Sequence, residues 1–354
     1  MTLPNAHADE TSGNAAAVFQ MITGHYLSAA VNTAAQIKLA DAMSETPLDH
    51  AVLAERTDTN PDSLFRLLCL LASAGLVTDE GDGRFSLTAA GRLLREDDEE
   101  SLRPVALMHG GPGHVQRWLN LREHLVTAPK SSEQKPTGNP FAQLPPHVAE
   151  IFNGAMSYFS RHTAKAVIAA YDFGRFSSLV DIGGGRGELL AAVLRANPGL
   201  RGTLFDLPSV VEGTEATFAE AGLADHAEVL GGDFFDSVPA DHDAYLLKNV
   251  LHDWDDERCG VLLRNIRAAI PAHGRVLLVE TVRPDRFDTA LPSRLAAYSN
   301  LSMLMAGGAE RSEPEYARLL AAAGLALRTV TVVRPEWTGA DTCHVIEAVR
   351  DDAA

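Results

Sequence analysis

Leu179-Val180-Asp181-Ile182-Gly183-Gly184-Gly185-Arg186-Gly187 is the stretch on which the fold turns. A short apolar run ends in a glycine turn and feeds a helical pattern that starts near Glu188. A ligand held at such a turn approaches the backbone closely, and glycine permits this because it has no Cβ and tolerates positive φ. In doubly wound sheets the turn lies at the carboxyl end of a strand, where ligands bind. The spacing is G-x-G-x-G, whereas the dinucleotide fingerprint is G-x-G-x-x-G with an acid roughly 20 residues on. Glu188 stands where the last fingerprint glycine would be. It puts a carboxylate at a helix N-terminus that a pyrophosphate would need. The pattern disfavours a nicotinamide dinucleotide and suits a ligand without phosphate.

Beyond Ser178–Ile182, short β-type runs at 202–205, 228–230, 244–247 and 276–280 alternate with helical stretches, which predicts a parallel doubly wound sheet. Two last runs, Leu325–Val333 and 343–349, have no long helix between them and predict an antiparallel hairpin at one edge. Asp206 ends the second run and can accept hydrogen bonds from ribose hydroxyls; the alternative is a helix cap. Gly232-Asp233-Phe234-Phe235 ends the third run, joining an acceptor for an adenine amino group to a ring that packs on a purine, unless it is only a turn. The fourth run leads through Lys248 to Leu251-His252-Asp253-Trp254. A histidine just beyond a strand's carboxyl end is either structural or catalytic, and its place at the cofactor edge favours catalysis. S-adenosylmethionine carries no phosphate and so suffers no clash with Glu188, whereas the ribose contact at Asp206 is common to it and to a dinucleotide.

The N-terminal part reads differently. Residues 15–43 carry Val18, Met21, Ile22, Leu27, Ala30, Val31, Ala34 and Ile37 at helical spacing, predicting one or two largely buried helices. A short helix over 51–56, the cap-like Thr59-Asn60-Pro61 and an apolar helix over 62–74 ended by Gly75 follow. Leu76-Val77-Thr78 and Phe85-Ser86-Leu87 then flank Asp79-Glu80-Gly81-Asp82-Gly83, a hairpin signature that completes the winged-helix order. Residues 1–100 hold six basic residues against sixteen acidic ones, and the would-be recognition helix offers only Arg66. Nucleic-acid affinity comes largely from Lys and Arg on phosphates, so a dimerisation and substrate-capping module is the better reading than DNA binding. Residues 101–170 look helical apart from a connector at 127–140 rich in Lys, Ser, Pro and Gly.

At 354 residues two domains are expected, and we place them at 1–104 and 105–354. No apolar run approaches the roughly 20 residues that span a bilayer. The first 14 residues hold no Lys or Arg, unlike a secretory leader, so a cytoplasmic protein is expected. Cys69, Cys259 and Cys343 are far apart and form no CxxC pair, which suggests neither a disulfide framework nor a zinc site; no metal is expected. A formal charge of −17 repels polyanions and favours a small or neutral ligand.

With these elements in register the sequence resembles the bacterial and plant small-molecule O-methyltransferases, the family that includes caffeate and hydroxyindole O-methyltransferases, and in particular their bacterial natural-product type. The resemblance spans nearly the whole chain. It includes the winged-helix part, Phe152-Asn153-Gly154-Ala155-Met156-Ser157-Tyr158-Phe159-Ser160, the turn from Asp181 to Gly187, Leu251-His252-Asp253-Trp254, and Gly307-Gly308-Ala309-Glu310-Arg311-Ser312. It implies an α/β, doubly wound, Rossmann-like methyltransferase domain with an antiparallel edge hairpin, behind a helical winged-helix-like dimerisation domain, and a homodimer. It implies His252 as general base, flanked by Glu280 and Glu310. Ser160 would meet the methionine carboxylate of S-adenosylmethionine, Gly183 its backbone side, Asp206 the ribose, and Asp233 and Phe234 the adenine. Leu207 and Lys248 would be further cofactor contacts.

A carboxylate accepting the Nδ1 proton would fix the histidine tautomer that leaves Nε2 free. Plant members have a methionine where this chain has Phe234, and the segment from Asn300 to Met305 also departs from them. Met156, Phe159, Leu301, Met303 and Met305 would line a pocket for a flat apolar molecule, or else are plain core. The implied reaction is methyl transfer to a hydroxyl of a small aromatic acceptor, phenolic or polyketide-type. The alternatives are a winged-helix regulator, disfavoured by its acidity, and a relative that binds S-adenosylmethionine but catalyses hydroxylation or decarboxylation. The retained His252 disfavours the latter, because methylating a hydroxyl requires proton removal.

Overall fold

The computed structural model describes residues 6–127, 144–335 and 342–353, so all but the first residue of the expected connector at 127–140 lies outside the described residues. The chain divides into two compact units between Arg122 and Glu123.

The first unit contains α1 (Ala6–Gln36), α2 (Leu39–Ala42), β1 (Leu48–Asp49), α3 (His50–Arg56), α4 (Pro61–Ser73), β2 (Val77–Gly81), β3 (Arg84–Leu87), α5 (Ala89–Arg92), α6 (Arg103–Gly110) and α7 (Pro112–Leu119). α4 starts where Asn60 accepts the Ser63 amide, with Pro61 in its first turn, and it buries Leu64, Leu68 and Leu71. This i, i+4, i+7 stripe packs with Leu53 and Phe85. Gly75, at φ +77°, ends the helix, and Gly81, Asp82 and Gly83 at positive φ turn the hairpin. β1 pairs antiparallel with β3 and completes a three-stranded wing in the order β1-β3-β2. Two residues are too few to show a strand's periodicity, so β1 was not expected.

The expectation of largely buried helices over 15–43 needs correcting. Ala30, Ala34 and Ala35 are buried, but Val18, Phe19, Met21, Ile22 and Tyr26 are exposed, Met21 by 79%. The apolar spacing holds, yet at 1.5 Å per residue α1 is roughly 45 Å long. A core as small as this unit's does not cover it.

α8 (Leu121–Thr127) spans the division. The second unit continues with α9 (Pro146–Ala170), β4 (Ser178–Ile182), α10 (Glu188–Ala196), β5 (Arg201–Asp206), α11 (Pro208–Val211), α12 (Thr214–Glu220), β6 (Ala227–Gly231) and β7 (Ala244–Lys248). It ends with α13 (Asp256–Ala269), β8 (Arg275–Glu280), α14 (Leu291–Ala306), α15 (Glu313–Ala322), β9 (Leu325–Val333) and β10 (Cys343–Arg350). The sheet order is β6-β5-β4-β7-β8-β10-β9. β4 to β8 pair in parallel, and β10 runs antiparallel to both β8 and β9.

Burial on both faces explains why the central strands read as unbroken apolar runs. Val180, Ile182, Tyr245, Leu247 and Leu278 pack with Leu262, Leu263 and Ile266 of α13. Their neighbours Leu179, Leu246, Leu277 and Val279 face the other way, onto Ala164, Val167, Leu190 and Leu194 of α9 and α10. Strand order reverses between β4 and β7, so a crevice opens beyond their carboxyl ends. No described helix is long and apolar enough to cross a membrane.

Candidate active site

The glycine turn leaves β4 at that crevice. Gly183, Gly185 and Gly187 have φ of +67°, +61° and +76°. A Cβ on Gly183 would fall 2.8 Å from Val250 Cγ2, and one on Gly184 would fall 2.6 Å from Asp181 Oδ2. Both conformation and crowding therefore demand glycine. The Gly185 amide donates to Asp206 Oδ2 at 2.8 Å and the Leu207 amide to Asp206 Oδ1 at 2.7 Å. Asp206 is thus tied to the turn rather than serving as a helix cap. Burial pushes its carboxyl up to about 6, against the pull of these two amides. Each oxygen keeps a lone pair for a further donor.

Asp181, 1% exposed, has no hydrogen-bond partner for either oxygen among the described residues. Burial, then the Asp206 charge, push it up to about 7, while Lys248 acts the other way. A buried carboxylate is costly without a partner, so this crevice suits a ligand with donors or positive charge. S-adenosylmethionine, with its ammonium, sulfonium and ribose hydroxyls, meets that requirement.

Phe234, in the loop after β6, is buried against Phe235 and Trp254 at ring distances of 4.8 Å and 6.1 Å, and its ring would touch a Cβ at Gly183 at 3.7 Å. Asp233 Oδ1 accepts the Phe235 amide at 2.9 Å, and Asn265 Nδ2 donates to the carbonyls of Phe234 and Phe235 at 2.9 and 3.0 Å. Lys248 is the last residue of β7; burial lowers its pKa, and Cys343, Glu280 and Asp181 oppose the change. Ser160, Met156 and Phe159 stand on α9, which is tied to the glycine turn by the pair Glu150–Arg186 and to the start of α10 by Arg161–Glu188.

His252 lies on a single 3-10 turn, Leu251–Asp253, just after β7. Its Nδ1 is 2.9 Å from Glu310 Oε1 and 3.9 Å from Glu280 Oε2, and its Nε2 is 3.6 Å from Asp253 Oδ1. Glu280, at the end of β8, accepts the amides of Val250 and Leu251 through Oε1 at 3.0 and 2.9 Å. Glu310 Oε1 also accepts the Ser299 hydroxyl at 2.5 Å, and the Glu310 amide donates to Asn300 Oδ1 at 3.1 Å. Both glutamates are buried.

Burial alone would lower the imidazole pKa, but Glu310 and Asp253 outweigh it and push His252 up to about 10. Burial raises Glu280 to about 7 and Asp253 to about 6. With Nδ1–H donating to Glu310, Nε2 is the nitrogen left to take a proton. Ligand atoms of His252, Glu280 and Glu310 lie within 4.8 Å of one another, a spacing that would also admit a cation.

The structure thus brings His252, Glu280 and Glu310 together, and gathers Gly183, Asp206, Leu207 and Phe234 about the glycine turn. Leu301 and Met305 lie one turn apart on α14, directly after Ser299 and Asn300. Sequence reading assigned no role to Asp181, Asp253, Ser299 or Asn300. The first two sit inside the quoted motifs, whereas no sequence pattern marks the other two.

The fold and crevice are those of S-adenosylmethionine-dependent methyltransferases. Residues 140–326 match the O-methyltransferase domain and residues 19–97 the O-methyltransferase dimerisation domain, so the chain belongs to the S-adenosylmethionine-dependent O-methyltransferase family. It is 38% identical over 315 residues to the phenazine O-methyltransferase PhzM of Lysobacter antibioticus, covering 88% of this chain and 91% of that one. The solved structure of LaPhzM matches with a TM-score of 0.87 at 36% identity, over 95% of this chain and 99% of that one. NcsB1 from neocarzinostatin biosynthesis, solved with S-adenosylmethionine and 2-hydroxy-5-methyl naphthoic acid, matches with a TM-score of 0.75 at 31% identity, over 91% and 95%.

Proposed function

We propose that this O-methyltransferase methylates a hydroxyl of a small aromatic metabolite, phenolic or polyketide-type, with His252 as general base. The observation that carries the reading is the 2.9 Å approach of His252 Nδ1 to Glu310, which leaves Nε2 as the proton-accepting nitrogen. Nε2 takes the hydroxyl proton as the acceptor oxygen becomes nucleophilic, and the buried carboxylates stabilise the imidazolium that results. S-adenosylmethionine, when bound, supplies an activated electrophilic methyl group. The chain's remaining task is to hold the reactants in line and exclude water. Ser160, Gly183, Asp206, Leu207, Asp233, Phe234 and Lys248 hold the cofactor in this reading.

Met156, Phe159, Leu301 and Met305 form the acceptor's apolar walls. A flat acceptor is supported by PhzM, named for a phenazine, and by NcsB1, solved with a hydroxynaphthoic acid. Residues 1–104 form a homodimer and residues 105–354 carry the chemistry; the exposed apolar side chains of α1 and the dimerisation-domain match support the first part. Incubation with isotope-labelled S-adenosylmethionine and a panel of phenols, read by mass spectrometry, tests the reaction. Labelled methyl ethers are expected, and transfer to carbon or nitrogen alone would overturn it.

A further inference from the structure

We propose that Arg311 is a positioning residue for the reaction, whose buried guanidinium holds both ends of the turn that carries His252 and so sets the direction of Nε2. The proposal rests on His252 being the base. Arg311 is 4% exposed and directly follows Glu310. Its Nη1 donates to the Leu251 carbonyl at 2.8 Å and its Nη2 to the Trp254 carbonyl at 2.7 Å. Those carbonyls bracket His252 and Asp253. Between them, the His252 carbonyl accepts the Ala309 amide at 2.9 Å. A Cβ on Gly308 would lie 2.0 Å from that same carbonyl oxygen, so the strap 308–311 is pressed against the turn.

The opposite side of the turn is held too, since Glu280 Oε1 takes the amides of Val250 and Leu251. Carbonyls are held from one side and amides from the other, which leaves the backbone under His252 little freedom. Asp256, the first residue of α13, fixes the fork in turn: Arg311 Nε lies 2.9 Å and Nη2 2.8 Å from its Oδ1. Only arginine offers planar donors spread widely enough to reach two carbonyls and a carboxylate at once; a lysine ammonium is a single point. Glu310 therefore orients the ring while its neighbour Arg311 orients the backbone that bears it. Displacing a reacting group by about 1 Å can cost roughly 10²-fold in rate, so the clamp has catalytic consequence.

The test uses the full-length enzyme with Arg311→Lys and with Asp256→Asn, the second at a side chain 82% exposed that keeps an acceptor oxygen for the guanidinium. For each, kcat on a phenol that the parent methylates, S-adenosylhomocysteine affinity, melting temperature and the ring 15N resonances of His252 are measured. Arg311→Lys should lower kcat by roughly 10- to 100-fold, shift the His252 resonances and leave S-adenosylhomocysteine affinity within about threefold. Asp256→Asn should give the same pattern at smaller size. Unchanged kcat in both variants, while His252→Ala still lowers turnover by at least roughly 100-fold, overturns the clamp and spares the base. Unchanged kcat in all three overturns both. A kcat loss that follows affinity and melting temperature downward, with the His252 resonances unmoved in Asp256→Asn, makes Arg311 a structural residue only and also overturns the proposal.

Discussion

His252 and Glu310 stand 58 positions apart in the chain and meet at 2.9 Å, one on the turn after β7 and the other on the strap after α14. This contact makes the imidazole's second nitrogen available, and it predicts the size of the loss when the ring is removed. His252→Ala should lower turnover by roughly 10²- to 10⁴-fold while S-adenosylhomocysteine affinity changes little. The deficit should shrink at high pH and for acidic phenols, which ionise unaided. Steady-state rates on a weakly acidic hydroxyl at neutral pH decide the matter, and near-normal turnover there would remove His252 from the chemistry.

The same cluster predicts a pH profile. Glu310 and Asp253 hold the imidazole up at about 10, and a base works only when unprotonated. Activity should therefore rise with pH from the neutral range upward, because only the unprotonated fraction is competent. Glu280→Gln removes a negative charge that raises the imidazole pKa, yet its amide oxygen can still accept the Val250 and Leu251 amides. The acid limb of kcat/KM should then move to lower pH, and a limb that stays put or moves upward would count against the electrostatic account.

Asp206 binds two backbone amides of the crevice and in the proposed function also meets the ribose. Asp206→Ala should weaken S-adenosylhomocysteine binding by about 1–3 kcal/mol, the loss expected for hydrogen bonds to a charged acceptor. Calorimetry should also find no NAD binding to the parent enzyme. Unaltered affinity in the variant would place the ribose elsewhere.

Asp181 predicts a trade of stability against binding. Its pKa in the fold, about 7, is raised above the ordinary 3.8. The stabilising contribution of the protonated form is complete below the unfolded value and is lost as pH rises through the folded one, so at pH 8 the ionised, buried group is a burden. Asp181→Asn should gain about 1–3 kcal/mol relative to the parent between pH 4 and pH 8 in the ligand-free protein, while losing S-adenosylhomocysteine affinity. Thermal melts at the two pH values, with calorimetry at the higher, provide the check. A gain independent of pH would mean the carboxylate is not isolated.

α1 predicts the oligomeric state. Met21 and Ile22 are 79% and 64% exposed in the single chain. An apolar surface of this kind is ordinarily covered by a partner. Sedimentation should give roughly twice 37.9 kDa. Met21→Glu combined with Ile22→Glu should give a folded monomer, and a dimer indifferent to both charges would place the interface elsewhere.

The strands of the second unit were legible because each is buried on both faces and so reads as a short unbroken apolar run, Ser178–Ile182 being the plainest. Leu48–Asp49 was not, because two residues carry no period. The exposure of Val18 to Ile22 was misread for a related reason: periodicity reports that a face is apolar, not which chain covers it. At the site, His252 and the glycine turn carry local signatures. The bonds from Ser299 and Asn300 to Glu310 do not, since they depend on how α14 docks beside the turn after β7.

α14 presents its working residues within two helical turns: Ser299 and Asn300, which seat Glu310, then Leu301 and Met305, the proposed acceptor wall. In the proposed function, one helix is at once a strut for the base and a boundary of the substrate's room. Leu301 directly follows Asn300, whose Oδ1 takes the Glu310 amide, so the proposed acceptor wall and the seat of the orienting carboxylate are neighbours in the chain. Met305, a full turn further on, is 8% exposed. In the proposed function, acceptor range and speed are therefore linked through this helix. On that reading, a change of acceptor made at Leu301 is made next to the residue that seats Glu310, and its cost is read in rate as well as in binding.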